Sequence, residues 1–107
     1  MISLKTEGHV SIVRVNTIKY VLIDGDQSQV FLADGDRMMV TKRQDDWQRQ
    51  LPEKYFLRVN QSACINLNFV DRVEFNPGSV AKVYLKGVLE PLVCGAEYAA
   101  QVRDFNA

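Results

Sequence analysis

One histidine, two cysteines and two Asp-Gly-Asp turns are the residues of this sequence best equipped for chemistry, and none is arranged to perform it. His9 lies in an alternating segment with no acid–nucleophile pair nearby in sequence, so a structural or solvent-facing role is expected. Cys64 and Cys94 sit in apolar runs, where a free thiol behaves as a small hydrophobe. Together with a single histidine they cannot supply the three or four ligands of an ordinary zinc site, and two cysteines make no disulfide framework. Asp24-Gly25-Asp26 and Asp34-Gly35-Asp36 superficially suggest calcium but lack the closing glutamate of an EF-hand loop. No phosphate-cradling glycine loop, nucleophile elbow or HExxH helix occurs. A chain without these parts is expected to be no enzyme, and to take no cofactor, metal or small-molecule substrate.

The same acidic turns make good hairpin turns, because glycine tolerates positive φ between two apolar runs. The period-2 pattern dominates the chain. It predicts strands over 9–15, 18–23, 29–32 and 38–40, then over 55–59, 63–65, 72–75, 80–85 and 88–93, the last demoted to a sheet edge by Pro91. Thr41-Lys42-Arg43-Gln44 fits a capping box, with Trp47 and Leu51 four apart and Pro52 as the stop. That pattern predicts a short helix at about Lys42 to Gln50. Residues 66–70 form a candidate helical turn and 96–105 a candidate terminal helix. The expected fold is mostly β, with elongated antiparallel sheets and one or two short helices in a single domain over 1–107.

Hydrophobic residues make up 47% of the chain, enough for a core without metals or disulfides. No stretch approaches the ~18 apolar residues that span a bilayer. Met1-Ile2-Ser3-Leu4 opens a strand rather than a targeting pattern, so a cytoplasmic protein is expected. Thirteen basic and 13 acidic residues give zero net charge, where nucleic-acid-binding domains ordinarily carry a basic surplus. The charge is uneven, however. Residues 37–58 hold six basic and three acidic groups, while the segments on either side are slightly acidic.

The segment Leu51-Pro52-Glu53-Lys54-Tyr55-Phe56-Leu57-Arg58-Val59-Asn60-Gln61-Ser62-Ala63-Cys64-Ile65-Asn66 resembles the signature of the LytTR family, "LP…F.RVHRS.IVN". Ile18-Lys19-Tyr20 is similar to that family's "I.YI" strand, Phe69-Val70-Asp71-Arg72-Val73 to its "..I..I" stretch, and Leu89-Glu90-Pro91-Leu92-Val93 to its "..lpvS" strand. The pieces cover essentially the whole chain in the family's order. The resemblance implies an elongated β fold whose loops at one edge enter successive major grooves of double-stranded DNA. It also implies the output half of a bacterial response regulator, binding direct repeats in promoters beside a second copy of itself.

Carried over residue by residue, the family's reading positions fall on Ser28 and Gln29 in the first loop, Asn60, Gln61 and Ser62 in the second, and Gly95 and Ala96 in the third. Gln61 and Asn60 have the amide needed for bidentate pairing with adenine. Lys42, Arg43 and Arg58 are the candidate phosphate contacts. The departures are "HRS" replaced by Asn60-Gln61-Ser62 and a third loop, Cys94-Gly95-Ala96-Glu97-Tyr98, that carries no basic residue. Neutral charge and these altered loops leave a second reading open: a domain of this fold that has lost DNA binding and serves protein–protein contact.

Overall fold

Alternation in the sequence becomes ladder in the computed structural model, which describes residues 1–6, 8–75, 81–99 and 101–102. Strands β1 (Ile2–Thr6) and β2 (His9–Val13) pair as a hairpin from Ile2↔Val13 to Thr6↔His9. The central sheet contains β3 (Ile18–Asp24), β4 (Gln27–Leu32), β5 (Arg37–Thr41), β6 (Phe56–Asn60) and β7 (Ala63–Asn66), in the order β5-β4-β3-β7-β6. Helix α1 (Gln44–Gln50) links β5 to β6. A third sheet places β9 (Ala81–Leu85) between β8 (Val70–Glu74) and β10 (Leu92–Cys94). Every pairing is antiparallel. The molecule is elongated, 47 Å long and 25 by 23 Å across.

Two cores sit on the two faces of the central sheet. On one, Ile2 and Leu4 of the hairpin and Trp47 and Leu51 at the helix close over Ile18, Val21, Val30, Val40 and Phe56. On the other, Ala81, Val83, Leu85 and Cys94 of the third sheet cover Tyr20, Val59, Ala63 and Ile65. Strict alternation would put Ile18 and Tyr20 on one face. A register shift between them divides them between the two cores, as a bulge does. Tyr20 then stacks on its cross-strand neighbour Phe31, with ring centroids 4.2 Å apart. Gly25 and Gly35 adopt φ of 60° and 95°, which explains why both acidic turns contain glycine.

Three local expectations are corrected. The capping box is not formed: Thr41 ends β5, the helix begins at Gln44, and its cap is Arg43 with no side-chain hydrogen bond. The expected strand over 88–93 shortens to Leu92–Cys94, because turn residues and Pro91 precede it, and it does lie at a sheet edge. After β10 the chain makes a 3-10 turn at Ala96–Tyr98 and turns helical at Ala99, while residues 100 and 103–105 of the expected terminal helix, like residue 80 of the strand expected over 80–85, lie outside the described residues. The helical turn expected near 66–70 is present at Leu67–Phe69, capped by Asn66, whose Oδ1 accepts from the Asn68 amide at 3.0 Å.

Candidate nucleic-acid interface

Three loops from distant parts of the sequence meet at one edge. The β6–β7 turn is central. Its Ser62 carbonyl accepts from the Ile23 amide at 2.7 Å, joining it to the end of β3 and the β3–β4 turn. On its other side the Gly95 amide donates to the Val59 carbonyl at 2.7 Å, and Asn60 Nδ2 donates to the Val93 carbonyl at 2.8 Å. A register shift between Arg58 and Asn60 turns the Asn60 side chain toward β10. A Cβ on Gly95 would lie 4.0 Å from Asn60 Cβ, so the third loop runs directly against the second.

The ten residues expected at the interface divide accordingly. Gln61 and Ser62 are exposed at the tip of the central turn, and the Gln61 amide makes no hydrogen bond with any described residue. Asn60 is spent inside the loop: beside its bond to Val93, its Oδ1 accepts from the Ser62 amide at 2.8 Å. Gly95 and exposed Ala96 stand next to it. Arg43 reaches the same edge, where a cleft is lined by Asp24, Gly25, Arg43, Gln44, Asp45, Gln61 and Ser62. Gln29 faces away from Ser28, opposite Met39, in a groove that also contains Ser62.

Ser28, Lys42 and Arg58 have their polar groups engaged by the protein itself. Ser28 is 1% exposed; its hydroxyl donates to the Lys42 carbonyl at 2.7 Å and accepts from Trp47 Nε1 at 2.9 Å, so its polar atom is committed within the protein. The side chain of Lys42 lies over the Trp47 ring at 4.8 Å and donates to Gln50 Oε1. Burial pushes its ammonium below the ordinary lysine value, against the raising influence of Asp46. Arg58 is held beneath the central turn by Asn60, Gln61 and Gln44 rather than standing free. Gln44 had no sequence signal for this position beyond the capping-box pattern, which the structure does not form.

The electrostatics of the edge are mixed. Arg43 Nε is 3.1 Å from Asp26 Oδ1, with both side chains more than 70% exposed. Asp24, Asp45 and Glu97 are also exposed there. No group of three or more His, Cys, Asp or Glu residues is placed to hold a metal among the described residues. Burial pushes the Cys64 thiol up to about 11, leaving it protonated and unreactive at neutral pH.

The chain is similar in fold to the LytTr DNA-binding domain of a methyl-accepting/DNA response regulator from Bacillus cereus, with a TM-score of 0.80 at 17% identity. That match covers 99% of this chain and 95% of the other. No curated protein is significantly similar in sequence. The sequence profile of the LytTr DNA-binding domain matches residues 8–106. A match of that extent assigns the fold and the lineage together: the chain belongs to the LytTR family of DNA-binding domains.

Proposed function

We propose that this domain binds double-stranded DNA sequence-specifically, as the output domain of a bacterial transcriptional regulator, with its edge loops in successive major grooves of direct repeats. The observation that carries this reading is the Asn60–Ser62 turn: it projects a Gln61 side-chain carboxamide with no partner among the described residues, while its neighbours fasten the turn to the loops beside it. A free carboxamide on a fixed turn suits adenine N6 and N7 in the major groove. Arg43 is the best-placed cation for a phosphate. Selection from random duplex DNA tests the reading, followed by Gln61→Ala on the selected site. The variant should fold normally and lose roughly 1–3 kcal/mol of discrimination against scrambled DNA. Binding to the selected and the scrambled duplex that the substitution leaves unchanged removes Gln61 from the interface.

Four exposed carboxylates at the same edge favour a second reading, a protein-contact module. The two separate on charge. If DNA is the partner, Asp26→Asn frees Arg43 and removes a repelling charge, so all duplexes should bind about three- to tenfold tighter at low salt, from roughly 1 kcal/mol per close charge in water. Anisotropy titrations with any fluorescent duplex measure this. A variant no tighter than the parent counts against phosphate contact by Arg43.

A further inference from the structure

We propose that Arg58 is a positioning residue for base reading, acting through the backbone of the central turn rather than through a phosphate. This inference rests on the DNA-binding reading above. Three acceptors from two elements converge on its guanidinium. Arg58 Nε donates to the Asn60 carbonyl at 3.1 Å, and Nη2 donates to the Gln61 carbonyl at 2.9 Å and to Gln44 Oε1 at 2.7 Å. The Asn60 carbonyl belongs to the peptide plane before Gln61, and the Gln61 carbonyl to the plane after it. Peptide units are rigid, so only φ and ψ at Gln61 remain between those planes. Fixing both planes fixes both dihedrals, and with them the direction in which the Gln61 side chain leaves the backbone.

Gln44 supplies the fixed end of this clamp, since it opens α1, whose Trp47 is buried in the core. The Tyr98 ring lies 5.5 Å from the guanidinium carbon, which brings the third loop into the same assembly. A planar fork with five N–H donors can serve several acceptors at once in this way. A lysine keeps the charge but is a single flexible point, so it cannot hold two carbonyls and an amide oxygen in fixed relation.

The lysine variant therefore separates the two roles. Full-length Arg58→Lys, Arg58→Ala and Gln44→Met are compared with the parent by amide hydrogen exchange, and by anisotropy on the selected and a scrambled duplex across a salt series. Exchange at the Ser62 and Ile23 amides should rise at least tenfold in both Arg58 variants while Val21 stays protected. Gln44→Met should show the same change to a smaller degree. Arg58→Lys should lose about tenfold or more in preference for the selected duplex, with the salt slope and scrambled-duplex affinity unchanged. Unaltered exchange at Ser62 and Ile23 overturns the proposal, whether or not the parent binds DNA. So does retention of preference by Arg58→Lys alongside a slope flattened by one unit in Arg58→Ala, the mark of a phosphate contact. Variants that show the exchange pattern beside a parent that prefers no duplex defeat the DNA-binding reading and support the clamp.

Discussion

Trp47→Ala is expected to destabilise the domain by about 3–5 kcal/mol, the usual cost of removing a large aromatic from a packed interior. The total stability of a domain this size is of order 5–15 kcal/mol, so much of the variant should be unfolded or easily unfolded. Trp47 is 1% exposed and packs where hairpin, helix and central sheet meet. Its indole nitrogen adds a second dependence, because the Nε1 proton is accepted by Ser28 Oγ at 2.9 Å in the same interior. Ser28→Ala should cost less, about 1–3 kcal/mol, by leaving that donor without a partner. Urea denaturation reads both: the midpoint falls while the slope is retained. The same pair of variants settles what Ser28 does. If it is structural, Ser28→Ala should bind DNA like the parent once corrected for the folded fraction. A folded Ser28→Ala that loses sequence preference would return Ser28 to the interface.

Two copies joined in tandem should bind paired repeats some 10²- to 10⁴-fold tighter than one copy binds a single repeat, through effective concentration alone. The expectation follows from weakness in the single copy. With Arg58 under the turn, Lys42 engaged by Trp47 and Gln50, and Arg43 paired to Asp26, the candidate phosphate contacts are all committed within the protein, so one domain has few cations to offer. Its log K against log salt slope should lie at the shallow end of roughly −3 to −5. Repeats one helical turn apart are about 34–36 Å centre to centre. Domains 25 by 23 Å in cross-section fit side by side at that spacing when their long axes cross the duplex. A Gly/Ser linker of roughly 40 residues spans it on average. Anisotropy on single- and double-repeat duplexes measures the gain. A tandem protein that binds both duplexes equally would argue against adjacent occupation.

Much of this architecture was legible because the period-2 signal is a physical one: Val30 and Val40 face one core and Phe31 the other as their positions in the alternation require. The Asp-Gly turns were legible for the same kind of reason, since positive φ at Gly25 and Gly35 is a local demand. The helix start was not. Thr41 and Gln44 have the right types and spacing for a cap, but tertiary pairing kept Thr41 in β5 opposite Gln27, and Gln44 found Arg58 instead. The surroundings of the candidate site residues were not legible wherever they depended on which face a side chain takes. Ser28 and Gln29 are neighbours in a reading position by resemblance, yet alternation buries one against Trp47 and leaves the other facing Met39. Arg58 depended on a bulge and on a glutamine fourteen positions earlier, neither of which has a local sequence signature.

The order of strands in the central sheet has a consequence for synthesis of the chain. β3 is flanked by β4, which follows it at once, and by β7, which emerges only after the helix and β6. The buried Asn66 amide that donates to the Ile18 carbonyl at 2.9 Å closes a separation of 48 positions. At ribosomal rates of 5–20 residues per second, roughly two to ten seconds pass between the appearance of β3 and that of β7. Throughout that interval one side of β3 offers unpaired amides and carbonyls beside apolar Val21 and Ile23, the kind of edge on which strands from other chains assemble. The edge of converging loops cannot exist before that side is filled, because the Ile23 amide needs the Ser62 carbonyl. Conditions that slow elongation lengthen the exposure, and soluble yield should track elongation rate more closely than final stability.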